Sequence, residues 1–362
     1  MLNLTKYDSV FVLTDEQVAR CCLPVAFDAL GLQSSAISSQ LVLPAGEEHK
    51  NLQNVQRIWD FLFVHNATRG SLLINVGGGV ICDMGGFAAA TYKRGIDYVN
   101  IPTTLLAMVD AACGGKTGID YTPTYNTANG LTGEAGLPPL KNAVGVFAEP
   151  ADTIIEPKLL RTLSPEQLLS GYAEMLKHAL LQTPQAFAEL IEFDMRDAAS
   201  EVFGKYIRQS IAFKQSVVAQ DPHDNGLRQQ LNFGHTIGHA IEALLLDNNQ
   251  KSSTLQIFKS QKPHGFCVMY GLVAEAYLSH ALCGLPAEVV STLSRFMLEN
   301  YGAAPITCKD YDQLLQLMQH DKKNHEKGTI TCTLLSTIGQ PTIGQTITPE
   351  QIREAIEYLC SL

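Results

Sequence analysis

The sequence predicts an α/β domain followed by a helical one, and three observations carry that reading. Short β-branched apolar runs alternate with helically spaced segments through the first part of the chain. From about Ser164 the texture changes to long helical periodicities. The composition supplies material for more than one core: of 362 residues, 46% are hydrophobic and 17% charged, which excludes disordered, collagen-like and coiled-coil chains.

In chain order, Ser9–Val12, Gln40–Leu43, Ser71–Val76 and Tyr98–Ile101 read as strands, with helical segments at Asp15–Leu30 and Asn51–His65 between them. Strands that alternate with helices predict a parallel sheet covered by helices. The second part reads as helices over Ser164–Leu181, Gln185–Phe193, Ala198–Gln220, His235–Leu246, Phe266–Leu282 and Ala287–Tyr301, hence an all-α domain. Ser164, Pro165 and Glu166 form an N-cap, a first-turn proline and a first-turn acid, placing the boundary between 1–163 and 164–362. Tyr121–Leu140 and Asp247–Pro263 have no periodicity and read as long loops of the kind that serve as lids.

A formal charge of −10, from 26 basic and 36 acidic residues, argues against nucleic acid or an anionic membrane surface as partner. Nine cysteines without a CxxC pair read as reduced thiols. No basic, apolar leader opens the chain and no apolar run approaches the ~18 residues of a membrane span, so the expected location is cytoplasmic.

The chemistry concentrates in a few motifs. Gly77-Gly78-Gly79 follows a buried strand and opens a small-residue segment containing Asp83; such a turn suits the close approach of a pyrophosphate, or simply tight packing. Thr103 and Thr104 follow the next strand, where their hydroxyls can bind a ligand or cap a helix. Asp110, Gly114, Gly115 and Lys116 combine isolated charges with glycines, as an ion pair or a ligand site. Glu174 and Lys177 are i, i+3, His235 and His239 are i, i+4, and His264 opens a further helix. A carboxylate and two imidazoles form the ligand set of catalytic zinc; helical spacing by itself favours His235 with His239. Arg94, Lys214, Arg228 and Lys322-Lys323 are cations suited to a phosphorylated or carboxylated small molecule, or to a solvated surface.

The segments GGGVICDMGGFAAATYKRG, IPTTLLAMVDAACGGKTGID, LKNAVGVF, GYAEMLKHALL, GLRQQLNFGHTIGHAIE, HGFCVMYG and HDKKN resemble, in order, the motifs of the 3-dehydroquinate synthase family of sugar-phosphate cyclases, from about Val10 onward. The resemblance implies a Rossmann-like NAD domain, a helical metal domain, an active site in the interdomain cleft and a homodimer. It implies zinc or cobalt on Glu174, His235 and His264, with His239 facing the substrate phosphate. NAD contacts are implied at Asp15, Glu47, Lys50, Gly78, Gly79, Asp83, Thr103, Thr104, Lys141 and Thr162. Catalytic and substrate contacts are implied at Asp110, Lys116, Asn142, Lys177, Lys214, Arg228, Asn232, His239 and one of Lys322 and Lys323, with Arg94 reaching the neighbouring subunit. The implied reaction takes 3-deoxy-D-arabino-heptulosonate 7-phosphate to 3-dehydroquinate and phosphate by oxidation, elimination, reduction and intramolecular aldol, the second step of the shikimate pathway. Other sugar-phosphate cyclases, making 2-deoxy-scyllo-inosose, an epi-valiolone or aminodehydroquinate, are the alternative. Cys82, Gln17 and Phe266 depart from the glycine, asparagine and glutamate usual in the family, and the two long loops look like insertions.

Overall fold

A computed structural model of the chain describes residues 3–122, 140–198, 200–251, 262–319 and 329–362. The interiors of both long loops and the pair Lys322-Lys323 lie outside these residues. The chain divides into two compact units, Met1–Ser164 and Pro165–Leu362.

In the first unit the elements run β1 (Val10–Asp15), α1 (Glu16–Cys21), α2 (Leu23–Leu30), β2 (Ser39–Leu43), α3 (Leu52–Val64), β3 (Leu72–Gly77), α4 (Gly79–Thr91), β4 (Asp97–Pro102), β5 (Lys116–Tyr121), β6 (Leu140–Phe147) and β7 (Asp152–Thr153). Five strands form a parallel sheet in the order β2-β1-β3-β4-β7. The apolar runs of β1 and β3 are buried, as strands covered on two faces must be. Phe11, Leu13 and Leu73 pack with Val55, Ile58 and Leu62 of α3 and Ile81, Met84 and Phe87 of α4. The chain leaves β1 toward β2 on one side and reaches β3 on the other, so the order reverses at the carboxyl ends of β1 and β3. Open α/β sheets bind ligands at that place.

Two details differ from the sequence reading. Asp15–Leu30 is two helices because Pro24 occupies the first turn of α2 and breaks continuity at Cys22. β5 and β6 form an antiparallel hairpin, its strands separated in sequence by the long loop.

The second unit contains α5 (Pro165–Leu180), α6 (Pro184–Glu192), α7 (Glu201–Gln220), α8 (His235–Lys251), α9 (His264–Cys283), α10 (Ala287–Asn300), α11 (Tyr311–Gln319), β8 (Ile330–Thr337), β9 (Gln340–Ile347) and α12 (Pro349–Ser361). The expectation of an all-α domain is corrected by the antiparallel β8–β9 hairpin. Its tight turn uses Gly339 in the left-handed region (φ 83°), and the hairpin buries Leu334 and Leu335. The expectation that no segment has the length and apolarity of a membrane span is corrected as well. α9 meets both criteria, with a mean hydropathy of 1.4 over its best window. That window is 72% buried, because α9 is the central helix against which α5, α8, α10, α12 and β8 pack.

Candidate active site

At the carboxyl end of the parallel sheet, Asp15 closes β1 and caps α1, accepting from the N–H groups of Gln17 and Val18, both at 2.9 Å. Gly78 is the N-cap of α4, and with no side chain to offer it leaves the first-turn N–H groups without a side-chain cap. The buried Thr103 donates its backbone N–H to the Gly77 carbonyl (2.9 Å), fixing the two turns side by side. Thr104 Oγ1 accepts from Ala107 N (3.1 Å), so this hydroxyl caps a short π-helix, Ala107–Ala111, on which Asp110 sits. Gly114 and Gly115 both take positive φ before Lys116 starts β5.

Lys50 is the buried cation of this region. Its Nζ donates to Asp83 Oδ2 (2.5 Å) and to Asn142 Oδ1 (2.6 Å), joining the entry to α3, α4 and β6. Asn142 is therefore placed with the residues expected to touch NAD. Lys141 lies 4.0 Å from Glu47, and Thr162 is 3.6 Å from the thiol of Cys22. Arg94 is exposed, in a turn where Lys93 and Arg94 both have left-handed backbone angles ahead of Gly95. Cys82, one of the departures, is buried in α4 with its thiol toward the Gly77 carbonyl at 3.7 Å.

Burial pushes the Asp83 carboxyl up, and the pull of Lys50 only partly offsets it, leaving its pKa at about 6. Between the usual value of 3.8 and about 6, the folded chain holds a proton that the unfolded chain has released. Stability should therefore fall as pH rises through this window. Urea unfolding at a series of pH values checks this, and a slope unchanged in Asp83→Asn would refute the assignment.

In the second unit three helices converge on one point. Glu174 of α5 is fully buried, and among the described residues neither carboxylate oxygen has a regular hydrogen-bond partner. Lys177, one turn on, presses its ammonium against Oε2. His235 Nε2 and His264 Nε2 stand 3.4 and 3.6 Å from Oε1. Burial alone would raise the Glu174 pKa, but Lys177 and His235 hold it well below the usual carboxylate range. Both imidazoles use Nδ1 elsewhere: that of His235 is 3.2 Å from the Phe233 carbonyl and that of His264 is 3.1 Å from Glu242 Oε2.

Two ligand atoms bound to one tetrahedral zinc at about 2.0–2.1 Å lie about 3.4 Å apart. The separations from Glu174 to the two Nε2 atoms match that edge, so this donor set fits a divalent ion. His239 belongs to the same cluster: donor atoms of His235, His239 and His264 all lie within 4.8 Å of one another.

The helices approach closely enough for this because glycines line their crossings. A Cβ on Gly265 would overlap the Ser170 carbonyl of α5, and one on Gly271 would overlap the Gly234 carbonyl and lie 2.7 Å from Gly238 N. Glu275, fully buried in the apolar run of α9, accepts from Gly234 N (2.6 Å) and Ile237 N (3.0 Å). Its carboxylate thus satisfies the amino end of α8, where His235 is the first residue.

Among the described residues two further cations are buried in this unit, Lys214 of α7 and Arg228, 6% and 3% exposed. Arg228 leaves a turn organised by Asp221, whose carboxylate accepts from the backbone N–H of Asn225, Gly226 and Arg228, and its guanidinium donates to the Pro222 carbonyl. These backbone donors hold the Asp221 carboxyl below its usual range. Asn232 ends the same short helical turn, which packs on α7. Phe266, the third departure, is buried edge-on against Tyr301 at 4.9 Å.

Glu242 and Glu275 were absent from the sequence-based candidates. Glu242 follows His235 and His239 at i+7 and i+3, on the same helix face, and Glu275 is the lone acid of an apolar helix; both signals are readable.

The family model described as 3-dehydroquinate synthase N-terminal matches residues 40–170, and the C-terminal model matches 171–324. The 3-dehydroquinate synthase of Parabacteroides distasonis is 43% identical over 359 residues, covering 99% of this chain and 93% of its own. The chain belongs to the 3-dehydroquinate synthase family. The family's fold extends to related cyclases among solved structures. A 2-deoxy-scyllo-inosose synthase complexed with carbaglucose-6-phosphate, NAD+ and Co2+ aligns with TM-score 0.74 at 24% identity, covering 99% of this chain and 92% of that one. The 2-epi-5-epi-valiolone synthase of Streptomyces hygroscopicus, with NAD+ and Zn2+ bound, aligns with TM-score 0.78 at 22% identity, covering 98% and 91%.

Proposed function

We propose that the chain converts 3-deoxy-D-arabino-heptulosonate 7-phosphate to 3-dehydroquinate and phosphate, with NAD held by the first unit and zinc or cobalt by the second. The observation that carries the reading is the convergence of Glu174, His235 and His264 in a family member 43% identical to a named 3-dehydroquinate synthase. When bound, NAD supplies a reversible hydride acceptor, and the ion lowers the pKa of a substrate hydroxyl.

The chain's own residues prepare the rest. Lys177 and the histidines keep Glu174 ionised inside the fold, so it is ready as a ligand. Lys214 and Arg228 provide buried positive charge for the phosphate and carboxylate, where low dielectric strengthens each pairing. Asn232 and His239 complete the substrate contacts of the second unit. Asp110, Lys116 and Asn142 are the substrate contacts of the first unit, and Arg94 acts on the neighbouring subunit's substrate in a homodimer. Asp15, Glu47, Lys50, Gly78, Gly79, Asp83, Thr103, Thr104, Lys141 and Thr162 hold the cofactor. The open amino end of α4 suits its pyrophosphate.

The test is phosphate release from the heptulosonate with catalytic NAD and one equivalent of zinc. Release without net NADH is expected. Net NADH formation would mark a dehydrogenase, and turnover only with a sugar phosphate other than this heptulosonate would mark another cyclase.

A further inference from the structure

Metal-binding imidazoles need their second nitrogen held, because a ring free to rotate or to change tautomer presents its lone pair only part of the time. The two histidines beside Glu174 differ in how this is arranged. His235 has a backbone carbonyl at Nδ1, supplied by its own chain two residues earlier. His264 has a side-chain carboxylate, Glu242 Oε2 at 3.1 Å, supplied by a different helix.

Glu242 is 7% exposed and stands on α8 two turns after His235, so the helix that carries one imidazole also braces the other. With Nδ1 facing Glu242, His264 turns Nε2 toward Glu174 Oε1. We propose that Glu242 is a positioning residue: it fixes the His264 ring with Nδ1–H donated to its carboxylate, and so orients Nε2 and makes it a stronger donor for the ion. This rests on the metal reading above, in which Glu174, His235 and His264 are the ligands. Glu242 is a partner of His264 and takes no place among the ligands themselves.

Zinc affinity of the full chain, measured by competition with a chromogenic chelator at fixed pH, tests it alongside the melting temperature of the zinc-free protein. Wild type should bind one zinc per chain, and His264→Ala should lose it. Glu242→Gln, which keeps the shape and removes the charge, should keep one site per chain but bind about 10- to 100-fold more weakly, with an unchanged zinc-free melting temperature. If Glu242→Gln does not fold, Glu242→Asp, which draws the carboxylate back by one methylene, should show the same weakening. Unchanged affinity in the variant that folds would overturn the role of Glu242, as would a drop in zinc-free melting temperature matching the loss. Absence of zinc from wild type, or full retention in His264→Ala, would overturn the metal reading itself.

Discussion

His264→Ala is expected to lose stoichiometric zinc and at least about 10³-fold in phosphate release, whereas His239→Ala is expected to keep zinc. The magnitude is that expected if the ion, when bound, would stabilise charge on a substrate oxygen by several kcal/mol. The choice of histidine is the one the family resemblance implies, and two separations agree with it. His264 Nε2 is 3.6 Å from the buried Glu174 carboxylate and His235 Nε2 is 3.4 Å from it, the spacing of two ligands sharing one ion. His239 lies in the cluster with ring centroids 5.1 and 5.7 Å from those of His235 and His264, where it can meet a substrate group. Metal analysis of the two purified variants decides the matter, since equal zinc loss in both would restore the i, i+4 pair that helical spacing favours.

Gly271→Ala is expected to lower stability by roughly 3 kcal/mol, about 6–12 °C in melting temperature, and to weaken the proposed zinc binding at the same time. The added Cβ would meet the Gly234 carbonyl and Gly238 N, which are backbone atoms of α8 and its entry and cannot rotate aside. α8 must therefore shift away from α9. His235 moves with it, and the Glu275 bonds to Gly234 and Ile237 stretch. Gly204→Ala is the contrast: a Cβ there meets only the end of the flexible Arg208 side chain at 3.4 Å, and helix propensity then favours alanine by roughly 0.5–1 kcal/mol. Calorimetry of the two variants checks the pair. A Gly271→Ala protein as stable as wild type would show that the crossing has slack.

Much of the fold was legible because strand and helix each impose a local period. The alternating runs that become β1 to β4 and the long stretches that become α5 and α7 to α10 are read from neighbours two, three or four residues apart. The misses share a physical origin. β8 and β9 run eight residues each, but β8 leans on α9 for its burial, so its place in the fold is set by a tertiary partner and not by a local period. α9 has apolar residues all round, which gives it the composition of a membrane span, and only the helices packed on every side show where its surface goes.

The site divides in the same way. Residue types and order, compared with known motifs, named a carboxylate, three imidazoles and a set of cations, and the match to a family supplied their expected roles. The sequence by itself thus determined the elements, the donor inventory and the kinship of the chain. Tertiary structure alone decided which donors face one another. Glu174, His235 and His264 lie on three helices whose relative placement depends on glycine crossings at Gly265 and Gly271 and on the buried Glu275. It also decided which second partner each imidazole has: a local carbonyl for His235 and the distant Glu242 for His264. Ligation is a matter of ångströms among side chains far apart in sequence, and a period read along one helix carries no information about the distance to another.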